Sequence, residues 1–170
     1  MIEPIKPHEK TPFTTAVFLV PQGQSGQPYR MVQNMIPVNK RTEVYQHAMT
    51  EQRRVLQGLQ RYKYATMIDL KAGYFNVPFD EDSSYLTTFV THRGKFRWKR
   101  LFFGLTQAPA HFQAVVEDVI QGGGQDQLPC RIYIDDIVLF GDDLDQLLDN
   151  SIKAIQRLAA AGFMVNLRKS

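Results

Sequence analysis

Apolar residues along this chain fall into two spacings. Short runs at Ala16 to Val20, Tyr29 to Val32, Tyr64 to Ile68, Leu86 to Thr91 and Ile132 to Phe140 have the length and β-branched or aromatic content of strands. Helical spacing takes over from Tyr45 to Leu59, where Met49, Val55, Leu56 and Leu59 recur, and from Ala108 to Ile120, with Pro109 near the first turn where its missing N–H costs nothing. A helix start is also predicted at Asp80 to Ser84. The clearest helix follows Asp142 and Asp143. Leu144, Leu147, Leu148, Ile152, Ile155 and Leu158 form one apolar stripe, and Gly162 sits where a C-terminal glycine belongs. Pro21 to Pro28, His92 to Lys95 and Gly122 to Gly124 punctuate the pattern as turns. The segment through Thr11 reads as an extended lead-in, and Phe163 to Leu167 as a short closing strand. This order predicts an α+β fold in a single domain over residues 1–170, with helices packed on one face of an antiparallel sheet.

Candidate chemistry enters at Tyr133-Ile134-Asp135-Asp136, which sets two adjacent carboxylates inside the apolar run Ile132 to Phe140. Ionised carboxylates in apolar surroundings cost several kcal/mol each unless a cation sits against them. The pair is therefore a candidate Mg²⁺ site, because hard divalent cations prefer carboxylate oxygen. A solvated hairpin tip explains Asp-Asp equally well, since Asp favours turns. A third acid in a similar setting, Asp69, ends the run Tyr64 to Ile68. Two such strands lying side by side would gather three carboxylates on the sheet face opposite the helices. Such a set suits two divalent ions about 3.5–4 Å apart and phosphoryl transfer.

Bulk properties narrow the class without deciding it. The chain has 170 residues, 44% hydrophobic and 22% charged, an ordinary globular composition. No apolar run approaches the roughly 18 residues of a membrane span, and the N-terminus lacks signal-peptide features, so an intracellular, soluble protein is expected. Cys130 is the single cysteine, which excludes an intrachain disulfide and a Cys-based zinc site. His8, His47, His92 and His111 have no metal-ligand spacing. A net charge of +3 is a weak basic bias. It is concentrated at Arg93, Lys95, Arg97, Lys99 and Arg100, with Phe96 and Trp98 interleaved. In strand geometry Arg93, Lys95, Arg97 and Lys99 share one face. That face is either a track for a nucleic-acid backbone or a solvated surface over a packed aromatic pair.

Taken together, these motifs resemble a reverse transcriptase of the retroviral and long-terminal-repeat retrotransposon group, Gypsy-like in flavour, from about Thr11 to Lys169. Tyr29-Arg30 with Asn39-Lys40-Arg41-Thr42 resembles the fingers block, and Asp69-Leu70-Lys71-Ala72-Gly73-Tyr74-Phe75 the first catalytic block. Leu101 to Gln113 is similar to the nucleotide-pocket loop and following helix. Tyr133 to Asp136 matches the catalytic hairpin, and Ala161-Gly162-Phe163 through Lys169 the last palm block.

The resemblance implies a palm-type polymerase fold with fingers elements, extending DNA on RNA or DNA templates from a primer 3′-OH with deoxynucleoside triphosphates. It implies two Mg²⁺ ions, replaceable by Mn²⁺, held by Asp69, Asp135, Asp136 and the Leu70 carbonyl. Arg30, Ala72, Gly73, Tyr74, Phe103 and Lys169 would line the nucleotide site. Arg30 would meet the triphosphate, Tyr74 would exclude a 2′-OH, and Phe103 would stand where retroviral enzymes commonly place glutamine. Arg93, Lys95, Arg97 and Lys99 would contact nucleic acid. No membrane partner is implied; the rest of a polyprotein is, in the cytoplasm or in virus-like particles. Thumb, connection and ribonuclease H regions would lie outside these 170 residues. Three positions depart from the pattern. Pro21 to Gly26 replaces a basic fingertip turn, Asn34 an expected Asp, and Ile36 a basic residue. A non-catalytic nucleic-acid-binding remnant and a related palm polymerase that makes RNA are the rival readings.

Overall fold

The computed structural model describes residues 1–21, 28–43, 60–124, 126–166 and 170. The helix expected from Tyr45 to Leu59, the fingertip turn after Pro21, and Lys169 lie outside the described residues. In chain order the strands are β1 (Ile2–Pro4), β2 (Val17–Pro21), β3 (Tyr29–Gln33), β4 (Tyr64–Asp69), β5 (Phe89–Thr91), β6 (Gly94–Trp98), β7 (Cys130–Tyr133) and β8 (Asp136–Gly141). The α-helices are α1 (Ile36–Asn39), α2 (Glu81–Tyr85), α3 (Ala108–Gln121) and α4 (Leu144–Ala160), and a 3₁₀ turn covers Gly73–Asn76. Two compact units result. The first comprises Met1–Val44 and Val77–Ala108, the second Tyr45–Asn76 and Pro109–Ser170.

In the first unit β2 and β3 form an antiparallel ribbon, and β1, β6 and β5 form a three-stranded sheet in that order. Ile2 to Pro4, expected only as part of the lead-in, pairs as an edge strand with Trp98 to Phe96. Its proline falls at a strand end, where a missing donor is tolerated. The core is aromatic: Phe96 stacks on Phe89, and Trp98 on Phe102 with ring centres 4.6 Å apart. Gln33 knits this core together. Its amide donates to Thr15 Oγ1 (2.6 Å) and Thr87 O (2.9 Å), while its carbonyl accepts from Trp98 Nε1 (2.7 Å).

Arg97 departs from the expected basic face. Its side chain is buried, ion-paired with Glu3, 3.7 Å from Glu81, and laid over the Tyr85 ring at 3.9 Å. The cross-strand register Glu3↔Arg97 imposes this pairing, and Lys99 reaches the same Glu3 at 3.6 Å. Arg97 is therefore a structural cation, and only Arg93 and Lys95 remain exposed on the predicted stripe.

The second unit is built on the antiparallel sheet β4-β8-β7. Alternation along the strands sends Ile68, Ile132, Ile137, Leu139 and Cys130 to one face, all buried. Both long helices cover that face: Gln121 of α3 donates to Cys130 Sγ (3.2 Å), and Gly141 of β8 lies against the Leu147 backbone of α4, where a Cβ would come within 2.7 Å. Helix α4 is capped as its sequence predicts. Asp143 accepts from Gln146 N (2.8 Å) while the Gln146 side chain accepts from Asp142 N (2.7 Å), a reciprocal cap. Gly162 ends it with φ +83°, and Phe163 N bonds back to Leu158 O.

The buried side of α4 differs from the predicted stripe. Asn150, Ala154 and Leu158 face inward, while Leu144, Leu148, Ile152 and Ile155 stay 40–63% exposed. The Asn150 amide bonds Phe140 O (2.9 Å), and together with the close Gly141 contact this sets the helix's rotation. Of the expected strand Phe163 to Leu167, the described residues form one bridge, Val165 with Leu70, and Leu167 lies outside them.

Burial alone would raise the Glu3 carboxyl, but the hydrogen bonds and charges of Arg97 and Lys99 carry it below its ordinary value. Its contribution to stability is therefore present above the unfolded-state value and lost as pH falls through the lowered one. Glu3→Gln leaves Arg97 buried without its main carboxylate, and a loss of about 1–3 kcal/mol is expected at pH 7. Urea melts of wild type and variant should converge as pH drops below about 4. A gap independent of pH would contradict the ion pair's role.

Candidate metal and nucleotide site

Asp69 and Asp136 are partners across the β4–β8 ladder, the last and first residues of their strands. Facing positions in such a ladder hold Cα atoms about 4.5–5.5 Å apart, with side chains on one face. Here that face is the open one, shared with exposed Met67 and Arg131 and turned away from the two helices. The register thus lifts both acids out of the core and sets them side by side.

Asp135 is delivered by a two-residue turn. Tyr133 pairs with Asp136, so Ile134 and Asp135 alone form the hairpin loop. A two-residue loop with φ > 0 at its first position favours glycine, yet Ile134 holds φ 54°. A β-branched residue there is strained by about 1–3 kcal/mol. Ala72, on the facing loop, is the other non-glycine residue with positive φ among the described residues, at 52°. The Leu70 N–H donates to Asp135 O (3.4 Å), tying the two loops together. Ile134 immediately precedes Asp135, and Ala72 lies three residues after Asp69; backbone outliers of this kind cluster at functional sites.

Behind the acids the chain is close-packed. A Cβ at Gly73 would meet Phe112 Cζ at 2.6 Å and Asp135 Oδ1 at 3.2 Å, so only glycine lets the 3₁₀ turn approach the hairpin. Tyr74 follows, buried and stacked on Phe112 with ring centres 4.8 Å apart. Burial, then the nearby Asp135 charge, push its hydroxyl up to about 12, so it stays a neutral donor at neutral pH. Asp69 is held from a third direction: Asn166 Nδ2 donates to its Oδ1 at 3.0 Å. Sequence reasoning gave Asn166 no role, because 97 residues separate the two and no local pattern links them.

Hard oxygen donors, Asp69 and Asp136 opposite each other with the Asp135 carboxylate on the next residue, have the chemistry for Mg²⁺ or Mn²⁺. Among the described residues no three His, Cys, Asp or Glu side chains stand grouped closely enough to hold a metal ion. The backbone brings the acids together, but their carboxylates do not form a finished cage. Three like charges gain from convergence only when a cation joins them.

Arg30 and Phe103 belong to the first unit. Arg30 is exposed on β3 opposite Val20, and Phe103 is 63% exposed. Asn39 pins the loop after Phe103, donating to Gly104 O (2.9 Å) and accepting from Thr106 N (3.0 Å). That clamp was also missed as a role, although Asn39 lies within a recognised block.

Residues 21–170 match the reverse transcriptase (RNA-dependent DNA polymerase) family, and the chain belongs to it. It is 32% identical over 164 residues to the retrovirus-related Pol polyprotein from transposon opus of Drosophila melanogaster, covering 94% of this chain and 16% of that protein. It is 30% identical over 163 residues to the Pro-Pol polyprotein of Simian foamy virus type 1, covering 95% of this chain and 14% of that protein. The prototype foamy virus protease-reverse transcriptase, as its selenomethionine-labelled CSH mutant, superposes with TM-score 0.80 at 29% identity, over 99% of this chain and 21% of that one. The foamy viral protease-reverse transcriptase solved with an RNA/DNA hybrid gives 0.79 at 28% identity, over 95% and 21%. The chain thus spans less than a quarter of each of these relatives, and its α+β polymerase fold is theirs.

Gly73→Ala should cost about 1–3 kcal/mol through overpacking against Phe112. Thermal melting measures it, and an unchanged midpoint would mean that the close approach of turn and hairpin does not constrain the fold.

Proposed function

We propose that this chain is the fingers-palm portion, residues 1–170, of an RNA- and DNA-directed DNA polymerase that adds deoxynucleotides to a primer 3′-OH. The observation that carries this reading is the ladder pair Asp69↔Asp136 on the open sheet face, with Asp135 on the strained turn beside it. Membership of the reverse transcriptase family supports it.

In this reading Asp69, Asp135, Asp136 and the Leu70 carbonyl hold two divalent ions, Mg²⁺ or Mn²⁺. When bound, the ions supply a nucleophilic primer oxygen and a neutralised leaving group. The protein's own share is positioning and charge. The β4–β8 register aims the Asp69 and Asp136 carboxylates, and the Leu70 N–H bond to Asp135 O ties the hairpin that carries Asp135 to the loop after Asp69. The Tyr74 ring, braced by Phe112, is the rigid wall that rejects a ribose 2′-OH. Ala72 and Gly73 offer close backbone approach to the incoming nucleotide. Arg30, with its permanently charged fork, takes triphosphate oxygens, Phe103 packs the base pair, and Lys169 completes the nucleotide contacts.

Template and primer, RNA or DNA, are the macromolecular partners, as a relative captured with an RNA/DNA hybrid suggests. Arg93 and Lys95 supply backbone contacts. The chain works as part of a longer polyprotein inside the cell, in the cytoplasm or in virus-like particles. No helix among the described residues is long and apolar enough to cross a membrane.

Primer extension on poly(rA)/oligo(dT) with Mg²⁺ tests the reading. Asp136→Asn should lower the rate at least about 100-fold, since removing one electrostatic group at such a site costs on that order. Extension unaffected by this change removes the metal assignment, while nucleic-acid binding without any extension by wild type favours a non-catalytic remnant. Separately, replacing Arg93 and Lys95 by Gln should reduce the slope of log K against log salt by roughly 1–2 in duplex binding. An identical slope would return both residues to the solvated surface.

A further inference from the structure

We propose that Asn166 is a positioning residue for the metal-binding carboxylate of Asp69, an inference that rests on the metal role given to Asp69 above. Asn166 engages Asp69 twice. Its side-chain Nδ2 donates to Asp69 Oδ1 at 3.0 Å, and its main-chain N–H donates to Asp69 O at 2.8 Å. Ser170 closes the ring: its hydroxyl accepts from Asp69 N at 3.2 Å and donates to Asn166 O at 3.0 Å, and its own N–H donates to Asn166 O at 3.1 Å. Both main-chain polar groups of Asp69 and one carboxylate oxygen are therefore gripped by residues 97 and 101 positions downstream.

The segment carrying Asn166 is itself anchored. Val165 bridges Leu70, and Lys71 N donates to Met164 O at 2.8 Å. It meets the end of β4 through this one bridge and these main-chain bonds, while the strand pairing of Asp69 on its other side is with Asp136. Asp69 is thus fixed between two neighbours, one bringing a second acid and one bringing a neutral amide.

The chemistry of that amide matters. A metal-binding carboxylate needs one orientation held without loss of its negative charge. A lysine or arginine in place of Asn166 would compete with the cation for the carboxylate. A second acid would add repulsion before any ion arrived. A primary amide supplies a donor, no net charge, and a short side chain with little rotational freedom. Groups that orient a ligand from outside the metal's own coordination shell are typically worth about 10–100-fold in metal affinity.

The test is Mn²⁺ titration of the 170-residue chain, with free ion followed by electron paramagnetic resonance, so that no catalytic readout is needed. Asn166→Ala and Asn166→Leu should each raise the Mn²⁺ Kd about tenfold or more. Val165→Ala, which loosens the same segment and keeps the amide, should lower the melting temperature without moving Kd. Asp69→Asn is the reference for losing the ligand itself. If Asp69→Asn weakens Mn²⁺ binding but both Asn166 variants bind as wild type does, the positioning role is overturned while the metal site stands. A Kd increase in Val165→Ala as large as in the Asn166 variants also overturns it, because the effect is then that of the segment. Should Asp69→Asn itself bind Mn²⁺ unchanged, the metal role of Asp69 falls first and takes this inference with it.

Discussion

The antiparallel ladder between β4 and β8 is the constraint on which the second unit depends, because one register serves both the core and the chemistry. Six consecutive pairs, from Tyr64↔Gly141 to Asp69↔Asp136, alternate between a face that buries Ile68, Ile137 and Leu139 and a face that exposes Met67 and Asp136 near the acids while Tyr62 covers Phe140 at its far end. A slip of one residue would exchange the faces, exposing the aliphatic side chains and driving the acids against the helices. Buried carboxylates without partners cost several kcal/mol each, so the hydrophobic pattern that folds the sheet also holds Asp69 and Asp136 outward. The site is in this sense a by-product of correct core packing.

Around that ladder the chain accepts local strain. Ile134 and Ala72 adopt backbone conformations that glycine would enter freely, and Gly73 sits where any side chain would strike Phe112. Ordinary folding stability gives no reason for an isoleucine at the tightest position of a two-residue hairpin. It stands immediately before Asp135, and the metal role proposed for that acid would call for one fixed direction there. The first unit shows the opposite economy: its buried charge, Arg97, is neutralised at once by Glu3 and covered by Tyr85.

Much of this was legible in the residues. The strands closing on Asp69 and opening at Asp136, helix α3 after Pro109, and the capped helix α4 all follow from local periodicity and turn chemistry. Asp69 and Asp136 could be suspected of meeting because two apolar runs each ended or began on an acid. What could not be read was anything decided by tertiary choice. The rotation of α4 depends on Asn150 finding Phe140 O, which leaves four aliphatic residues of the apparent stripe exposed. Arg97 looked like one of four equal cations, and only pairing with the lead-in strand put Glu3 opposite it. Asn166 lies far from Asp69 in sequence, so its hydrogen bond leaves no trace in spacing.

The most direct measurement is a crystal of this chain soaked in Mn²⁺, with anomalous scattering locating the ion. A peak bounded by the carboxylates of Asp69 and Asp136, on the sheet face away from α3 and α4, is the result expected from the ladder register. Manganese bound elsewhere on the chain, with those two carboxylates untouched at saturating ion, would contradict it.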